Sequence, residues 1–158
     1  MTKDPFVIIV DTREQIPWEF GYHDTAKRKL DTGDYSIEGF ENILAVERKR
    51  SVSELATNLS EKRFKDVLTR LSKIKHPYMV FEFSLDEVYK FPVGSDIPKK
   101  LWDKLKISGN YIIKRLIEIQ LEYGIQVVFC DDPSNAERFT ASLMKRIYER
   151  YNNNQTNI

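Results

Sequence analysis

The sequence predicts a single α/β domain in which helices flank a mixed β-sheet. Its 158 residues suit one domain, and a hydrophobic fraction of 41% is enough to bury a core without disulfides. Short apolar runs rich in β-branched residues alternate with segments whose apolar residues recur at helical spacing. Along the chain these runs give the order β-β-β-α-β-α-β-α, with no internal repeat and no long linker.

Three strands are predicted before the first helix. Residues 6–10 form a continuous apolar run, typical of a strand buried on both faces. A polar stretch follows, and residues 29–37 then lead from a turn into extended chain. Residues 39–42 have turn composition and residues 43–47 return as a strand. The two neighbouring strands around this short turn predict a hairpin.

The pattern becomes helical after the third strand. Ser51 and Ser53 both suit the N-cap position of a helix. The apolar residues between 55 and 74 recur at helical spacing and predict either two helices or one broken helix, which Pro77 ends. Residues 78–83 then form a strand.

The rest of the chain contributes a loop, two helical segments and a strand. Prolines and a glycine mark residues 91–98 as a loop. A helical pattern resumes near Lys99, is interrupted near residues 108–109 and ends at Gly124, before a buried strand at 125–130. A last helix follows. We expect the folded domain to span residues 1–151 and the polar tail 152–158 to be disordered.

Several classes of protein are excluded by what the sequence lacks. The single cysteine, Cys130, allows no intramolecular disulfide and no multi-cysteine zinc site, and its setting is that of a small core residue. Neither a membrane-spanning run nor the apolar core of a secretion signal is present, which favours an intracellular location, cytoplasmic or nucleoid. No phosphate-binding glycine loop and no nucleophile elbow occur, and His23 and His76 are expected at the surface.

The charge is balanced overall but uneven along the chain. The formal net charge is +1, yet basic residues outnumber acidic ones between Arg48 and Lys75. This local excess suits a polyanion, and it is equally consistent with a solvated helical face.

Carboxylates and a lysine stand at the predicted strand ends. Asp11 follows the first strand, Asp34 opens the second, and Glu47 ends the third, followed by Arg48 and Lys49. Side chains alternate along a strand, so Glu47 and Lys49 project to the same side and Arg48 to the other. Hard oxygen ligands suit Mg²⁺ or Mn²⁺. Each motif alone is most often a turn or solvated charge, and only their combination points to a metal-dependent hydrolase acting on phosphate esters.

These motifs resemble the nuclease domain of the XPF/Mus-type structure-specific endonucleases. The resemblance rests on Val-Asp-Thr-Arg-Glu at 10–14, Gly-Asp-Tyr at 33–35 and Val-Glu-Arg-Lys at 46–49. It continues through the helix after residue 50, the strand at 77–83 and the late strand at 124–133, and so covers nearly the whole chain. The resemblance implies a restriction-endonuclease-like fold and Mg²⁺-dependent hydrolysis of DNA, with Mn²⁺ as a substitute.

The resemblance also assigns roles to residues. Asp34 and Glu47 are the implied metal ligands, together with the main-chain carbonyl of Arg48 and, as a further candidate, Asp11. Lys49 is the implied catalytic lysine, and Arg48 orients the carboxylates of the site. The residues that the resemblance places around the site or against DNA are Arg13, Glu14, Arg50, Glu54 and Arg63.

Two departures from the family pattern stand out. The family aspartate four positions beyond the lysine is replaced by Ser53. Either Arg50 is an extra residue in the turn and Glu54 takes that role, or the outer acid is absent. The sequence also ends soon after the nuclease domain, without a helix-hairpin-helix module, which suggests a minimal stand-alone nuclease of bacteriophage or bacterial type.

The expected function is therefore a metal-dependent endonuclease for branched or junction-containing DNA, in DNA repair, recombination or replication. Affinity is expected to depend on a homodimer or a recruiting protein, with apolar residues at 111–121 or 139–148 as candidate contacts unless those faces complete the core. The main alternative is a non-catalytic, nuclease-like DNA-binding subunit or scaffold. A phosphatase or an RNA-processing metallohydrolase is a third possibility that the order of the motifs does not favour.

Overall fold

A computed structural model describes residues 4–156, and for 154–156 it describes the backbone alone. Within this part of the chain the strands form one six-stranded sheet in the order β2-β1-β3-β4-β5-β6. Strand β3 is antiparallel to both of its neighbours, and the other adjacent pairs are parallel. The strands are β1 Val7–Val10, β2 Asp24–Lys27, β3 Tyr35–Ile37, β4 Leu44–Lys49, β5 His76–Phe81 and β6 Gln126–Phe129.

Three of the helices have a serine at the N-cap position. Ser51, Ser84 and Ser108 each accept a hydrogen bond from a backbone amide in the first turn that they cap. Between residues 4 and 156, no helix has both the length and the hydropathy that crossing a bilayer requires. The helices are α1 Val52–Leu59, α2 Phe64–Ser72, α3 Leu85–Lys90, a 3₁₀ helix at Lys99–Lys104, α4 Gly109–Tyr123 and α5 Pro133–Thr156.

The two faces of the sheet bury separate cores, because successive side chains of β4 point to opposite faces. Ala45 belongs to the core that α1, α2 and α4 cover, where Leu55, Leu68 and Ile112 are buried. Val46 faces the other core, which α5 and the segment after β1 cover. This alternation confirms the predicted mixed sheet flanked by helices.

Several element predictions hold and a few need correction. The break in the first helical region is real, since α1 and α2 are separate helices. Strand β2 was not predicted, because its sequence Asp-Thr-Ala-Lys is polar and its side chains are mostly exposed. Helix α3 was also missed, since its six residues are too few for a periodic pattern. The prediction that Pro77 ends the preceding helix was wrong, because that helix ends at Ser72 and Pro77 lies inside β5.

The expected C-terminal boundary of the domain at residue 151 stays a prediction. Helix α5 continues to Thr156, beyond residue 151, where we expected the folded domain to end. Residues 157–158 of the expected disordered tail lie outside the described residues.

The histidines are less exposed than expected. His23 is 9% exposed at its side chain and lies 2.7 Å from an Asp4 oxygen. His76 is partly buried, with its Nε2 atom 2.9 Å from the Tyr151 hydroxyl. Both therefore support packing around α5 and the N-terminal segment, and the prediction of surface histidines was wrong. Cys130 is buried as expected, and burial, followed by Asp131, raises the pKa of its thiol.

Gly109 allows α4 to pack against α3. A Cβ atom at this position would lie 2.2 Å from the Val88 carbonyl oxygen and 2.9 Å from that of Tyr89. We expect Gly109→Ala to lower the free energy of unfolding by about 2 kcal/mol or more, because backbone atoms must move to admit the methyl group. Urea denaturation measures the change. Gly21→Ala is the matched control, since no atom lies within 4 Å of the added Cβ. Equal midpoints for the two variants would contradict this packing.

Candidate active site

The sheet topology brings three sequence motifs to one edge. Because β3 runs antiparallel to both neighbours, its start lies beside the ends of β1 and β4. The Asp11 amide donates to the Asp34 carbonyl at 2.9 Å, and the Asp34 amide donates to the Val46 carbonyl at 2.7 Å. Asp11, Asp34 and the end of β4 are thus joined through the backbone.

A glycine makes this close approach possible. Gly33 has φ +81°, and a Cβ atom there would lie 3.2 Å from the Ala45 Cβ and from the Val46 backbone. Only glycine combines this conformation with such tight packing at low cost. The Gly-Asp pair therefore has a local structural reason, since it presses the turn onto β4 and sets the Asp34 carboxylate at the site.

A polar cleft of about 270 Å³ opens at this edge of the sheet. Of the residues that the sequence predicts for the site, Asp34 and Glu47 line the cleft together with Asp11, Arg13 and Glu14. The remaining lining residues are Asp31, Thr32, Gly33, Val67 and Arg70. Five of the ten residues that line the cleft are acidic.

Asp34 and Glu47 form a pair of mutually repelling carboxylates. One Asp34 oxygen accepts a hydrogen bond from the Arg48 amide at 2.7 Å, which fixes its orientation. Burial, followed by the nearby Glu47 charge, raises the pKa of Asp34 well above that of an ordinary aspartate. A cation between the two carboxylates removes this repulsion, so the pair is suited to binding one.

Lys49 is held beside Glu47. Its ammonium lies 3.1 Å from a Glu47 oxygen and 3.9 Å from Glu54, and its side chain is only 7% exposed. The same group lies 5.5 Å from the centre of the Phe64 ring. The predicted alternation is confirmed here, since Glu47 and Lys49 meet on one face of β4.

The side chains of Ser53 and Glu54, which follow Lys49 on α1, point in different directions. Glu54 faces the site and also accepts a hydrogen bond from the Arg50 amide at 3.3 Å. Ser53 instead donates its hydroxyl hydrogen to Asp96 at 2.9 Å, at the far side of α1. Of the two alternatives for the outer acid, this geometry favours Glu54 as the carboxylate beside the lysine.

Both carboxylate oxygens of Asp11 accept hydrogen bonds. One oxygen accepts from the Leu30 amide at 2.8 Å, and the other accepts from Arg13 Nε at 2.7 Å. Burial opposes ionisation of Asp11, but these hydrogen bonds outweigh it and hold the pKa of Asp11 below its usual value. Asp11 is therefore arranged to tie the loop before Leu30 to the end of β1 and to hold Arg13 at the cleft.

Arg48 points to the opposite face and is the centre of a buried network. Its Nε donates to Glu82 at 2.8 Å, while Nη1 donates to Glu14 at 3.1 Å and to the Ile16 carbonyl at 2.7 Å. Trp18 stacks against the guanidinium at 4.7 Å and donates its indole hydrogen to Glu82. The Tyr35 hydroxyl completes the network by donating to Glu14. We call this set the Arg48 network; its members are Glu14, Trp18, Tyr35, Arg48 and Glu82.

The arginine that lines the cleft on α2 is not the one that the sequence suggested. Arg63 caps α2, is 82% exposed and pairs with Glu61, and it is absent from the described cleft lining. Arg70, seven residues further along α2, lines the cleft beside Val67. Two turns of helix place both residues on similar faces, so only the tertiary position of α2 distinguishes them. Within the described residues, no ion pair occupies the Arg70 guanidinium.

The residues present fit a single hard cation. Among residues 4–156, no three side chains of His, Cys, Asp or Glu form a group that could hold a metal ion. The groups that could donate to a cation here are the carboxylates of Asp34 and Glu47 and the main-chain carbonyl of Arg48, a residue whose amide donates a hydrogen bond to Asp34. Mg²⁺ commonly uses one or two carboxylates and completes its shell with water or phosphate.

Comparison with known proteins agrees with this fold. The family model described as the ERCC4 domain matches residues 10–143. A curated relative, the 3'-flap repair endonuclease Xpf of Saccharolobus solfataricus, is 27% identical over 124 residues, which cover 78% of this chain. Two solved structures share the fold. XPF from Aeropyrum pernix has a TM-score of 0.66 at 20% identity and covers 88% of this chain, and the same protein in complex with DNA has 0.65 at 19% and covers 92%.

These relatives are longer than the present chain. The match spans 44% of the curated relative's length, and 60% and 66% of the two solved chains.

The Arg48 network should dominate the stability of the site. We expect Glu82→Gln to lower the free energy of unfolding by about 3 kcal/mol, because it leaves the buried guanidinium short of one counter-charge. Chemical denaturation measures the loss. Asp86→Asn, which makes the same chemical change in an exposed pair with Lys90, should cost less than about 0.5 kcal/mol. A similar small loss for both variants would show that the network contributes little.

Proposed function

Because this chain belongs to the ERCC4 domain family, we propose that it is a metal-dependent endonuclease that hydrolyses phosphodiester bonds in branched or junction-containing DNA. The observation that carries the proposal is the meeting of Asp34, Glu47 and Lys49 at one sheet edge. A DNA-repair, recombination or replication role is proposed with it. The named activity of the curated relative and the DNA complex of the structural neighbour support this choice.

Asp34, Glu47 and the Arg48 carbonyl are the groups that would hold Mg²⁺, or Mn²⁺ in its place. Such an ion, when bound, polarises a phosphoryl oxygen and lowers the pKa of a coordinated water. We leave Asp11 out of this ligand set, because both of its oxygens already accept hydrogen bonds. Asp11 then acts on the reaction through Arg13, which it holds at the mouth of the cleft.

Lys49 is the proposed catalytic lysine. Its side chain is buried, so it has one position rather than many, and its ammonium stands 3.1 Å from Glu47. From there it can donate a hydrogen bond to the attacking water or to the phosphate oxygen that gains charge in the transition state. Glu54, 3.9 Å away, is a second carboxylate beside the Lys49 ammonium. Arg48 contributes by positioning the Asp34 carboxylate, to which its backbone amide donates a hydrogen bond.

Arg70 is the proposed phosphate contact beside the reacting bond. Arg13 is paired with Asp11, Arg48 with Glu82, and Arg63 with Glu61. Arg70 lines the same cleft as the carboxylates and makes no ion pair with any described residue. A free guanidinium opposite an acidic pair gives a phosphodiester a favourable place to bind and leaves the carboxylates to a cation.

Pairing of two copies is proposed through α4 rather than α5. Tyr111, Ile117 and Leu121 on α4 are exposed, Leu121 by 82%. Phe139 and Leu143 on α5 pack against the core that contains Val46. The α5 face therefore completes the core, and the α4 face remains for a homodimer or a recruiting protein.

The non-catalytic scaffold is the second candidate function. A domain that only binds DNA does not need an acidic pair beside a buried lysine. The presence of Asp34, Glu47 and Lys49 in one place favours catalysis.

The proposal predicts that both ligand carboxylates are required for cutting. We expect Asp34→Asn and Glu47→Gln each to slow cleavage at least about 100-fold, a barrier increase of about 2.7 kcal/mol, because each removes a charged metal ligand. The assay uses labelled duplex, single strand, flap, fork and four-way junction, each with Mg²⁺, Mn²⁺ or chelator.

Two exposed positions provide matched controls for that assay. Asp103→Asn and Glu118→Gln make the same chemical changes away from the cleft and should leave the rate unchanged. Circular dichroism verifies that each variant is folded. Folded wild-type protein that binds these DNAs but cuts none of them would establish the scaffold instead.

Arg70 should affect DNA binding more than Arg63. We expect Arg70→Ala to raise KM about tenfold and to reduce the salt dependence of DNA affinity by about one phosphate contact. Arg63→Ala should change both quantities less, since Arg63 is paired and lies outside the described cleft lining. Fluorescence anisotropy over a range of salt concentrations measures the slope. A larger loss of DNA affinity for Arg63→Ala than for Arg70→Ala would assign the phosphate contact to Arg63 instead.

A further inference from the structure

We infer that the groove between α1 and the segment 96–107 is a docking site for an acidic peptide that inserts an aliphatic side chain. The groove has a volume of about 450 Å³ and lies outside the metal cleft. This inference concerns a protein partner and is independent of the proposed nuclease chemistry.

The floor of the groove is apolar. Ala56 of α1 and Phe91 form one part of it, and Ile97, Leu105 and Ile107 form the opposite wall. The last three are only partly buried, so their remaining apolar surface faces the groove. Nearby Val93 and Leu101 are 57% and 39% exposed and extend the apolar surface beyond the groove.

The hydroxyl groups of the α1 wall are already satisfied. Thr57 donates to the Ser53 carbonyl at 3.0 Å and Ser60 donates to the Ala56 carbonyl at 3.1 Å. Ser53, which also lines the groove, donates to Asp96 at 2.9 Å. A partner therefore meets methyl and methylene groups here, and an aliphatic side chain is the group that gains most from burial.

The rim of the groove is basic. Lys104 and Lys106 line it, and Lys99 and Lys100 are exposed on the adjoining 3₁₀ helix. Asp96 and Asp103 are the acidic residues in the segment 96–107, so four lysines against two aspartates leave a local charge of +2. Within the described residues no ion pair neutralises these lysines. Charge complementarity therefore selects carboxylates on both sides of the aliphatic anchor.

An acidic peptide matches this surface better than DNA does. Phosphates could pair with the lysines, but a phosphodiester backbone has no aliphatic group for the apolar floor. Among the described residues that line the groove, the aromatic one is Phe91, which is only 5% exposed and so offers unpaired bases little ring surface for stacking. Burial of an aliphatic anchor and neutralisation of the rim are both available to a peptide such as Glu-Leu-Asp-Glu.

The test is a selection of random 12-residue peptides displayed on a library against the whole chain. We expect enriched peptides to carry Asp or Glu on both sides of a Leu, Ile or Val. Their synthetic copies should shift the amide signals of residues 53–60 and 96–107 in NMR spectra. Thr57→Trp fills the groove from an exposed position and should weaken binding at least about tenfold.

Matched variants distinguish peptide binding in the groove from binding elsewhere on the protein surface. Thr69→Trp is the control for the groove-filling variant, because Thr69 is an exposed threonine on α2 whose hydroxyl also donates to the carbonyl four residues earlier. It should alter the affinity for the peptide less than about twofold. Lys104→Glu should weaken binding about threefold at low salt, and Lys114→Glu on α4 should not. An oligonucleotide of twelve thymidines serves as competitor. No enrichment, enriched peptides insensitive to Thr57→Trp, or displacement of the peptide by the oligonucleotide would each overturn the inference.

Discussion

A buried guanidinium holds the site together. Arg48 lies inside β4, and transfer of its charge from water costs several kcal/mol unless charged partners surround it. Glu82 and Glu14 supply opposite charge, and Trp18 covers the guanidinium. Because Glu14 and the Ile16 carbonyl come from the loop after β1, that loop must fold over the sheet to satisfy the arginine. The segment that carries Asp11 and Arg13 is thereby held at the end of β4.

Because side chains alternate along β4, its residue in the buried network and its residues in the candidate site lie on opposite faces of the strand. Arg48 points into the network on one face, while Glu47 and Lys49 meet on the other. The Arg48 amide connects the two, because it orients the Asp34 carboxylate toward the face of Glu47. Glu14 is a member of this network that also lines the cleft, and the other members can fix the geometry of the carboxylates from outside it. The cost of this arrangement is a pair of like charges, which burial makes worse and a bound cation relieves.

The departure from the family motif after Lys49 has consequences on both sides of α1. Glu54 turns toward the lysine, whereas Ser53 turns away and binds Asp96. That hydrogen bond joins α1 to the loop before the 3₁₀ helix at the lining of the apolar groove. These two neighbouring residues therefore contact different parts of the domain, Glu54 the lysine of the site and Ser53 the loop before the 3₁₀ helix.

Much of this protein is determined locally by its sequence. Strand periodicity set the facing of Glu47 and Lys49, the Gly-Asp pair marked a turn, and Ser51 marked where α1 begins. Other features depend on residues far apart in the chain. Glu82 meets Arg48 across 34 positions, β2 exists only because β1 offers it a hydrogen-bonding edge, and the packing of α2 places Arg70 rather than Arg63 at the cleft. Periodicity and capping act within a few residues, so the sequence reveals them directly. Charge pairing, edge pairing and helix position depend on long-range packing, and for that reason only the tertiary structure decided them.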